Sequence, residues 1–412
     1  MINNSRRIKS GSNLRIAIKA VQITTGGGLT HLNKIIEWFG RLAPETEFVL
    51  LGKKGQEGLY IPAPRNFRYI YFRLPGLNLP AQILWERHFL PGILNRMEID
   101  LLFEPGNRGT LKTPCPKVSL IHNVAPFVSQ NQLAETLYKK LRLVLLRQAT
   151  IESMKASQGI IFISKSSRDM LSEHIDLANI KNRIIYHGKL DSDHSVERPQ
   201  TQLDLPERYI LSVSHIYRYK KIKEMVRAYF RAQSSMSDIP PLLIAGNNYA
   251  PRYMNEITDE INKSGHSDSI RFLGNVPDIE LGMLYRNCQA FIFPSVLEAC
   301  PNILIEALSC GCAIACSNKS VMPEIAGDAA IYFNPDDVED FANKFLSIVQ
   351  NNKLKKELSR KAIQRAAFFS WEKTAQETLD FFDEVLGKKN CKSPVNKKLH
   401  QNAEEIQIVT LT

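Results

Sequence analysis

Two glutamates eight residues apart, Glu298 and Glu306, bracket the stretch Ala299-Cys300-Pro301-Asn302-Ile303. Pro301 suits the start of a helix, where its missing N–H costs nothing, and Gly311 suits the position just past its end. The N–H groups of Asn302 and Ile303 would then stand free at a helix head, a natural seat for an anion. A carboxylate accepts two hydrogen bonds side by side, so Glu298 and Glu306 can hold vicinal hydroxyls of a ribose or hexose on either side of a phosphate. From spacing alone, two solvent-facing charges remain the alternative. Earlier in the chain, Gly26-Gly27-Gly28 would let the backbone approach a phosphate or an acceptor closely, or would simply make a tight turn.

Other chemistries lack their residues. His31 stands where a Gly-x-Gly-x-x-Gly dinucleotide fingerprint needs its last glycine, and no Gly-x-x-x-x-Gly-Lys-[Ser/Thr] loop occurs. Asp191-Ser192-Asp193 has the form of a metal-holding acidic pair but lies in a polar stretch and reads as solvated linker, so no metal site is expected. The seven cysteines form no Cys-x-x-Cys pair and read as reduced, mostly buried thiols. The polar, basic start of the chain lacks the apolar core of a secretory signal, and no apolar run reaches the roughly 18 to 20 residues that cross a bilayer. The expectation is a cytoplasmic protein.

The elements that must position these residues follow from the pattern of apolar runs. Short runs at 14–20, 48–51, 100–103, 118–121, 160–163 and 184–186 read as strands buried on both faces, with helices at 29–42, 82–97, 132–155 and 166–174. The alternation restarts with strands at 209–214, 242–245, 270–272, 290–293, 313–316 and 331–333. Helices follow at 222–234, 278–286, 301–310, 338–349 and 354–368, and a last one spans 371–386. The fold class predicted is α/β, with two Rossmann-like, doubly wound parallel-sheet domains facing a cleft, and chemistry in the loops at the carboxyl ends of the strands. The divisions expected are an acceptor-side domain over 1–190 and a hinge over 191–205. A nucleotide-sugar domain over 206–370, a helix over 371–387 packing back toward the first domain, and a disordered polar tail over 388–412 follow.

The run Pro294-Ser295…Glu298…Pro301-Asn302…Glu306-Ala307-Leu308…Gly311 resembles the signature of the family 4 retaining glycosyltransferases, whose fold is the two-Rossmann GT-B arrangement. Ile210–Lys221 resembles that family's diphosphate-binding strand and loop, and 272–276 resembles its base-binding loop. Residues 322–330 resemble the strand-loop-strand that closes its nucleotide pocket. The resemblance implies that Glu306 holds the ribose hydroxyls of a nucleotide-sugar and Glu298 those of the transferred sugar. Asn302 and Ile303 would face the donor phosphates, Gly27 and Gly28 the phosphates or the acceptor, and Lys220 would neutralise the diphosphate as the glycosidic bond breaks. His122, in Ile-His-Asn-Val-Ala-Pro-Phe at the end of a strand, resembles the family's cleft residue near the donor sugar. The Arg that often accompanies the Lys is replaced here by His215, with Arg218 as the candidate substitute. No third carboxylate is placed as a nucleophile, so retention would rest on front-face displacement assisted by the leaving phosphate. The implied enzyme is a metal-independent hexosyltransferase of polysaccharide or lipopolysaccharide biosynthesis that uses the nucleotide-diphosphate sugar as substrate and needs no cofactor.

The net charge of +11 is concentrated in one part of the chain. Residues 1–190 carry 27 Lys and Arg against 13 Asp and Glu, whereas 191–384 carry 21 against 27. Such asymmetry suits an anionic partner of the first domain or a merely solvated basic face. Residues 136–155 combine Leu137, Leu141, Val144 and Leu145 with Lys139, Lys140, Arg142 and Arg147. That pattern fits either a helix packed on the sheet or one lying peripherally on the inner face of an anionic membrane, where a lipid-linked acceptor would be presented. A nucleotide-sugar epimerase on the same fold is the rival enzyme. A nucleic-acid-binding protein lacks the interleaved aromatic and basic residues it would need, so no nucleic acid partner is expected.

Overall fold

The computed structural model describes residues 14–73, 79–128, 137–189, 204–236 and 238–388. The expected hinge, apart from its last residues, the acidic pair at Asp191 and Asp193, the start of the 132–155 helix and nearly all of the tail lie outside them.

The first sheet has seven parallel strands in the order β3-β2-β1-β4-β5-β6-β7. These are β1 (Arg15–Lys19), β2 (Glu47–Lys53), β3 (Phe67–Phe72), β4 (Leu101–Glu104), β5 (Lys117–Ile121), β6 (Gly159–Phe162) and β7 (Lys181–Ile184). The second sheet has six parallel strands, ordered β10-β9-β8-β11-β12-β13. They are β8 (Ile210–Val213), β9 (Leu242–Ala245), β10 (Ile270–Gly274), β11 (Ala290–Phe293), β12 (Ile314–Ser317) and β13 (Ala330–Phe333). This is the doubly wound, two-sheet architecture expected from the alternating pattern. Its central strands are apolar throughout because helices cover both faces; Ile16, Ala17, Ile18 and Phe291, Ile292, Phe293 are wholly buried.

Each strand order reverses once, between β1 and β4 and between β8 and β11, and crevices for ligands open at such points beyond the carboxyl ends of the strands. Helix α1 (Gly26–Leu42) follows β1, α2 (Leu79–His88) and α3 (Leu90–Arg96) precede β4, and α4 (Leu137–Lys155) and α5 (Lys165–Ser172) flank β6. In the second domain α6 (Ile222–Gln233), α7 (Pro251–Ser264), α8 (Asp278–Asn287), α9 (Asn302–Ser309) and α10 (Met322–Ala326) alternate with strands, and α11 (Val338–Gln350) and α12 (Asn352–Ala366) follow β13. Helix α13 (Trp371–Val385) returns to the first domain, where the Phe382 ring lies 5.9 Å from Phe39 and 5.1 Å from Phe103.

Several elements differ from their sequence reading. Strand β3 and helix α7 are additional; β3 is a sheet edge whose alternating, half-exposed Arg-Tyr-Ile-Tyr lacks the continuous apolar run of a central strand. Strand β7 lies three residues earlier than expected, because the other edge also tolerates a polar sequence. The single helix expected over 82–97 is two, divided at Phe89 with Pro91 in the first turn of α3. Residues 322–326 are helical, followed by a 3₁₀ turn, so 322–330 is not the strand-loop-strand that the resemblance implied.

Candidate functional site

Two helix heads meet at this site. The chain leaves β1, turns through Gly26 at φ +65° and begins α1 with three glycines; neither a capping side chain nor a first-turn acid neutralises that end. Pro301 precedes α9, whose first turn is likewise uncapped and free of acids. The Leu304 and Ile305 N–H groups donate to the Pro301 carbonyl at 3.0 and 3.2 Å, which leaves those of Asn302 and Ile303 at the helix head. A Cβ on Gly27 would stand 3.5 Å from Asn302 Nδ2, so the two heads, one from each domain, adjoin. Gly28 lies behind, with Ile23 at 3.8 Å from its would-be Cβ. The partial positive charges of both helices therefore add in one place.

Lys220 ends a 3₁₀ turn after β8 and is nearly buried, at 8% exposure. Its Nζ is paired with Glu298 Oε1 and stands 5.4 Å from the ring centres of Tyr219 and Phe293. The Glu298 backbone is pinned by Ser320, whose Oγ receives the Glu298 N–H at 3.3 Å and donates to its carbonyl at 2.9 Å. The two other cations of the loop are engaged elsewhere. Arg218 pairs with Glu256, Nη1 to Oε2 at 3.1 Å, and stacks over Tyr253, while Lys221 pairs with Asp336 at 2.7 Å and Glu224 at 3.1 Å. His215 Nδ1 accepts the Asn247 N–H at 3.1 Å, so the neutral ring carries its proton on Nε2 and can donate there. Partial burial, and then Lys220, hold its pKa below the ordinary imidazole value.

Glu306, one turn into α9, accepts from Tyr285 Oη at 3.1 Å, and the same hydroxyl reaches the Ile303 carbonyl at 3.5 Å. Burial pushes the Glu306 carboxyl up to about 7; Tyr285 opposes the shift and Asp278 adds to it.

His122 lies just past β5, as the sequence suggested, and belongs to a cluster that sequence reasoning missed. Its ring centre is 4.9 Å from His31 of α1 and 5.4 Å from His187 after β7, and His31 and His187 are 5.0 Å apart. Trp371 of α13 stacks on His187 at 5.4 Å. His187 Nδ1 bonds Asn302 Oδ1 at 2.7 Å, tying the cluster to the head of α9. Burial first, and then neighbouring imidazoles, hold the pKa values of His31 and His122 well below the ordinary range. Burial lowers that of His187 to about 4, although its bond to Asn302 opposes the shift. His31 Nδ1, His122 Nε2 and His187 Nε2 are buried without a hydrogen-bond partner among the described residues. The available signal was positional: each histidine follows a strand or opens a helix on the cleft side.

A second unforeseen group lies at the reversal point of the first sheet. Lys19, ending β1, pairs with Glu104, ending β4, at 2.6 Å and with Glu86 at 3.5 Å, and Lys117 adds a contact to Glu104 at 3.6 Å. Thr110 donates to Glu104 from its N–H and its hydroxyl, and Arg108 pairs with Glu86 at 3.2 Å. Burial alone would raise the Glu104 carboxyl, but the two lysines and Thr110 hold it below its ordinary value. Among the described residues no group of three or more His, Cys, Asp or Glu side chains is arranged to hold a metal ion.

Residues 193–365 match the family model described as glycosyl transferases group 1. The serotype-specific mannosyltransferase WbdA of Escherichia coli is 26% identical over 318 residues, which cover 75% of this chain and 37% of that protein. The chain thus spans little more than a third of that relative's length. The O-antigen chain mannosyltransferase B of Escherichia coli is 26% identical over 274 residues, 64% of this chain and 69% of the relative. Among solved structures, sucrose-phosphate synthase from Thermosynechococcus elongatus superposes with a TM-score of 0.72 at 17% identity, covering 91% of this chain and 99% of that one, a likeness of fold.

Proposed function

We propose that the chain, whose residues 193–365 match the family model described as glycosyl transferases group 1, transfers a hexose from a nucleoside-diphosphate sugar to a saccharide or lipid-linked saccharide. We read it as a retaining, metal-independent member of family 4 that works in cell-surface polysaccharide or lipopolysaccharide assembly. The observation that carries this reading is the meeting of two uncapped helix heads, at Gly27 and Asn302, beside the Lys220–Glu298 pair. Two positive helix ends together, with Glu298 just before one of them and Glu306 within it, suit a diphosphate linking two polyols.

In this reading the diphosphate lies between the helix heads and takes one of the three Nζ protons of Lys220. Glu298, sharing that ammonium, keeps acceptor positions for the hydroxyls of the transferred sugar, and Glu306 takes those of the ribose. As the glycosidic bond lengthens, negative charge grows on the departing phosphate, and Lys220 with the amides of Asn302 and Ile303 is already in place to stabilise it. The acceptor hydroxyl attacks from the same face and passes its proton to the leaving phosphate. Neutral His122 offers a lone pair or an N–H, according to its tautomer, to a sugar hydroxyl, and Nε2–H of His215 offers one donor to the phosphates.

The acceptor side favours a membrane. Leu141, Val144 and Leu145 are 57, 44 and 58% exposed, so the apolar stripe of α4 faces outward and does not pack on the sheet. Ile83, Leu84 and Phe89 of the α2–α3 region and Leu111 are exposed as well. The elements sit side by side: Arg108 in the Leu111 loop pairs with Glu86 of α2, and Lys117 Nζ is shared by the Thr110 carbonyl and that of Ser153 in α4. Arg87, Lys112 and Arg142 are exposed among them. We read this face as the peripheral contact of a cytoplasmic enzyme with anionic lipid.

Both relatives named above are mannosyltransferases, so a mannosyl donor is the first to test. Labelled sugar should pass from donor to an acceptor-bearing membrane fraction, with release of one nucleoside diphosphate, and EDTA should not stop it. Conversion of the donor to another nucleotide-sugar without any acceptor would contradict the proposal.

A further inference from the structure

One carboxylate bridges the two domains. Glu324 belongs to α10 of the second domain, yet both its oxygens bond into the first. The Lys165 N–H donates to Oε1 at 2.6 Å, the Ser166 N–H to Oε2 at 2.8 Å, and Tyr186 Oη to Oε1 at 2.7 Å. Lys165 and Ser166 are the first two residues of α5.

The need for this contact follows from the end of α5. An α-helix leaves its first amides without intrahelical acceptors. Ser164, the cap, accepts the Ser167 N–H at 3.0 Å, and Ser167 Oγ accepts the Ser164 N–H at 3.2 Å. That reciprocal box satisfies Ser164 and Ser167 and leaves Lys165 and Ser166, the two amides that Glu324 takes. Its charge also lies at the positive end of the α5 dipole. Glu324 is itself anchored, because Arg365 of α12 donates to the Glu324 carbonyl at 2.6 Å and to that of Ile325 at 2.8 Å. The sequence placed 322–330 at the nucleotide; this side chain reaches the opposite domain instead.

We infer that Glu324 is a positioning residue. By capping a helix of the first domain from the second, it fixes the angle at which Gly27 and His122 face Asn302, Glu298 and Lys220. Its consequence for turnover rests on the glycosyl-transfer reading; its consequence for domain geometry does not.

The test uses the full chain and the variants Glu324→Ala, Glu324→Gln and Tyr186→Phe, with amide hydrogen exchange, small-angle scattering and kinetics measured on each. Glu324→Ala should speed exchange of the Lys165 and Ser166 amides by about tenfold or more, since hydrogen bonds to a charged acceptor are lost, and should enlarge the radius of gyration. Glu324→Gln and Tyr186→Phe, which each remove part of the contact, should give intermediate exchange. Affinity for a nucleoside diphosphate should change less than about threefold, because the Glu306 site is untouched, while kcat falls roughly 10- to 100-fold through misalignment. Unchanged exchange and scattering in Glu324→Ala would overturn the inference whatever the activity. Altered exchange with a normal kcat would overturn the positioning role. Failure of the wild-type chain to transfer any sugar would count against the glycosyl-transfer reading alone, since the exchange and scattering results stand without it.

Discussion

Glu306 shows how a single side chain can be both legible and incomplete in a sequence. Its place in the Glu-x7-Glu spacing marked it as a hydroxyl acceptor, but not the Tyr285 hydroxyl against it nor the burial that pushes its carboxyl up to about 7. Ribose hydroxyls donate to the charged form and so favour it, which means that binding lowers this pKa and releases a proton. Donor affinity should therefore rise as pH increases through 7 and flatten above it. Calorimetry near pH 7 in two buffers of different ionisation enthalpy should register release of a fraction of a proton, absent in Glu306→Gln; no proton exchange in the wild type would remove the carboxylate from the ribose. Lys220 was equally legible from its loop, whereas its pairing with Glu298 and the engagement of Arg218 by Glu256 required the fold. Lys220→Ala should lower kcat by at least ~100-fold, as the loss of a preorganised oxyanion donor does; near-normal steady-state turnover would refute that role.

At the scale of elements, central strands and long helices could be read from their apolar runs, because a sheet covered on both faces imposes a pattern that few other structures share. Edge strand β3 escaped that rule and β7 was read three residues late, since one side of each is open and half-polar sequences suffice. The charged residues that end β1 and β4 carried a signal of another kind: Lys19 and Glu104 close the apolar runs 16–18 and 101–103, and they pair in the interior. Removing Glu104 leaves Lys117 with carbonyl partners alone and Lys19 with Glu86 as its one carboxylate, at 3.5 Å. Glu104→Ala should destabilise the first domain by about 3 to 5 kcal/mol, read from urea unfolding; a loss below about 1 kcal/mol would mean that the cluster is hydrated and weakly coupled.

At the scale of the molecule, the seam between domains is lined by His31, His122 and His187, drawn from three separate elements and closed by Trp371 and Asn302. No pairwise spacing in the sequence announces such a meeting. Their imidazoles are neutral in the fold, with His187 near 4 against 6.5 when unfolded. The stability they contribute is therefore full above about pH 6.5 and is lost as pH falls toward 4, by roughly 3 kcal/mol for His187 alone. A series of urea melts over that range should show the loss, reduced in His187→Gln; a flat wild-type profile would contradict it. The exposed α2–α4 face makes a separate prediction. Leu141→Glu/Leu145→Glu should release the protein from vesicles containing anionic lipid while leaving nucleoside-diphosphate binding unchanged, and undiminished cosedimentation would rule out that face.

The most direct test of a nucleotide-sugar site between the domains is the thermal stability of the chain with UDP, GDP, ADP, CDP and dTDP, with and without EDTA, in the wild type and in Glu306→Ala. A ligand at about 100 times its Kd stabilises the native state by about 2.7 kcal/mol. A nucleotide-sugar site should give a clear upward shift with at least one of these nucleotides, undiminished by EDTA and lost in the variant. No shift with any of them, or a shift that the variant keeps in full, would contradict it.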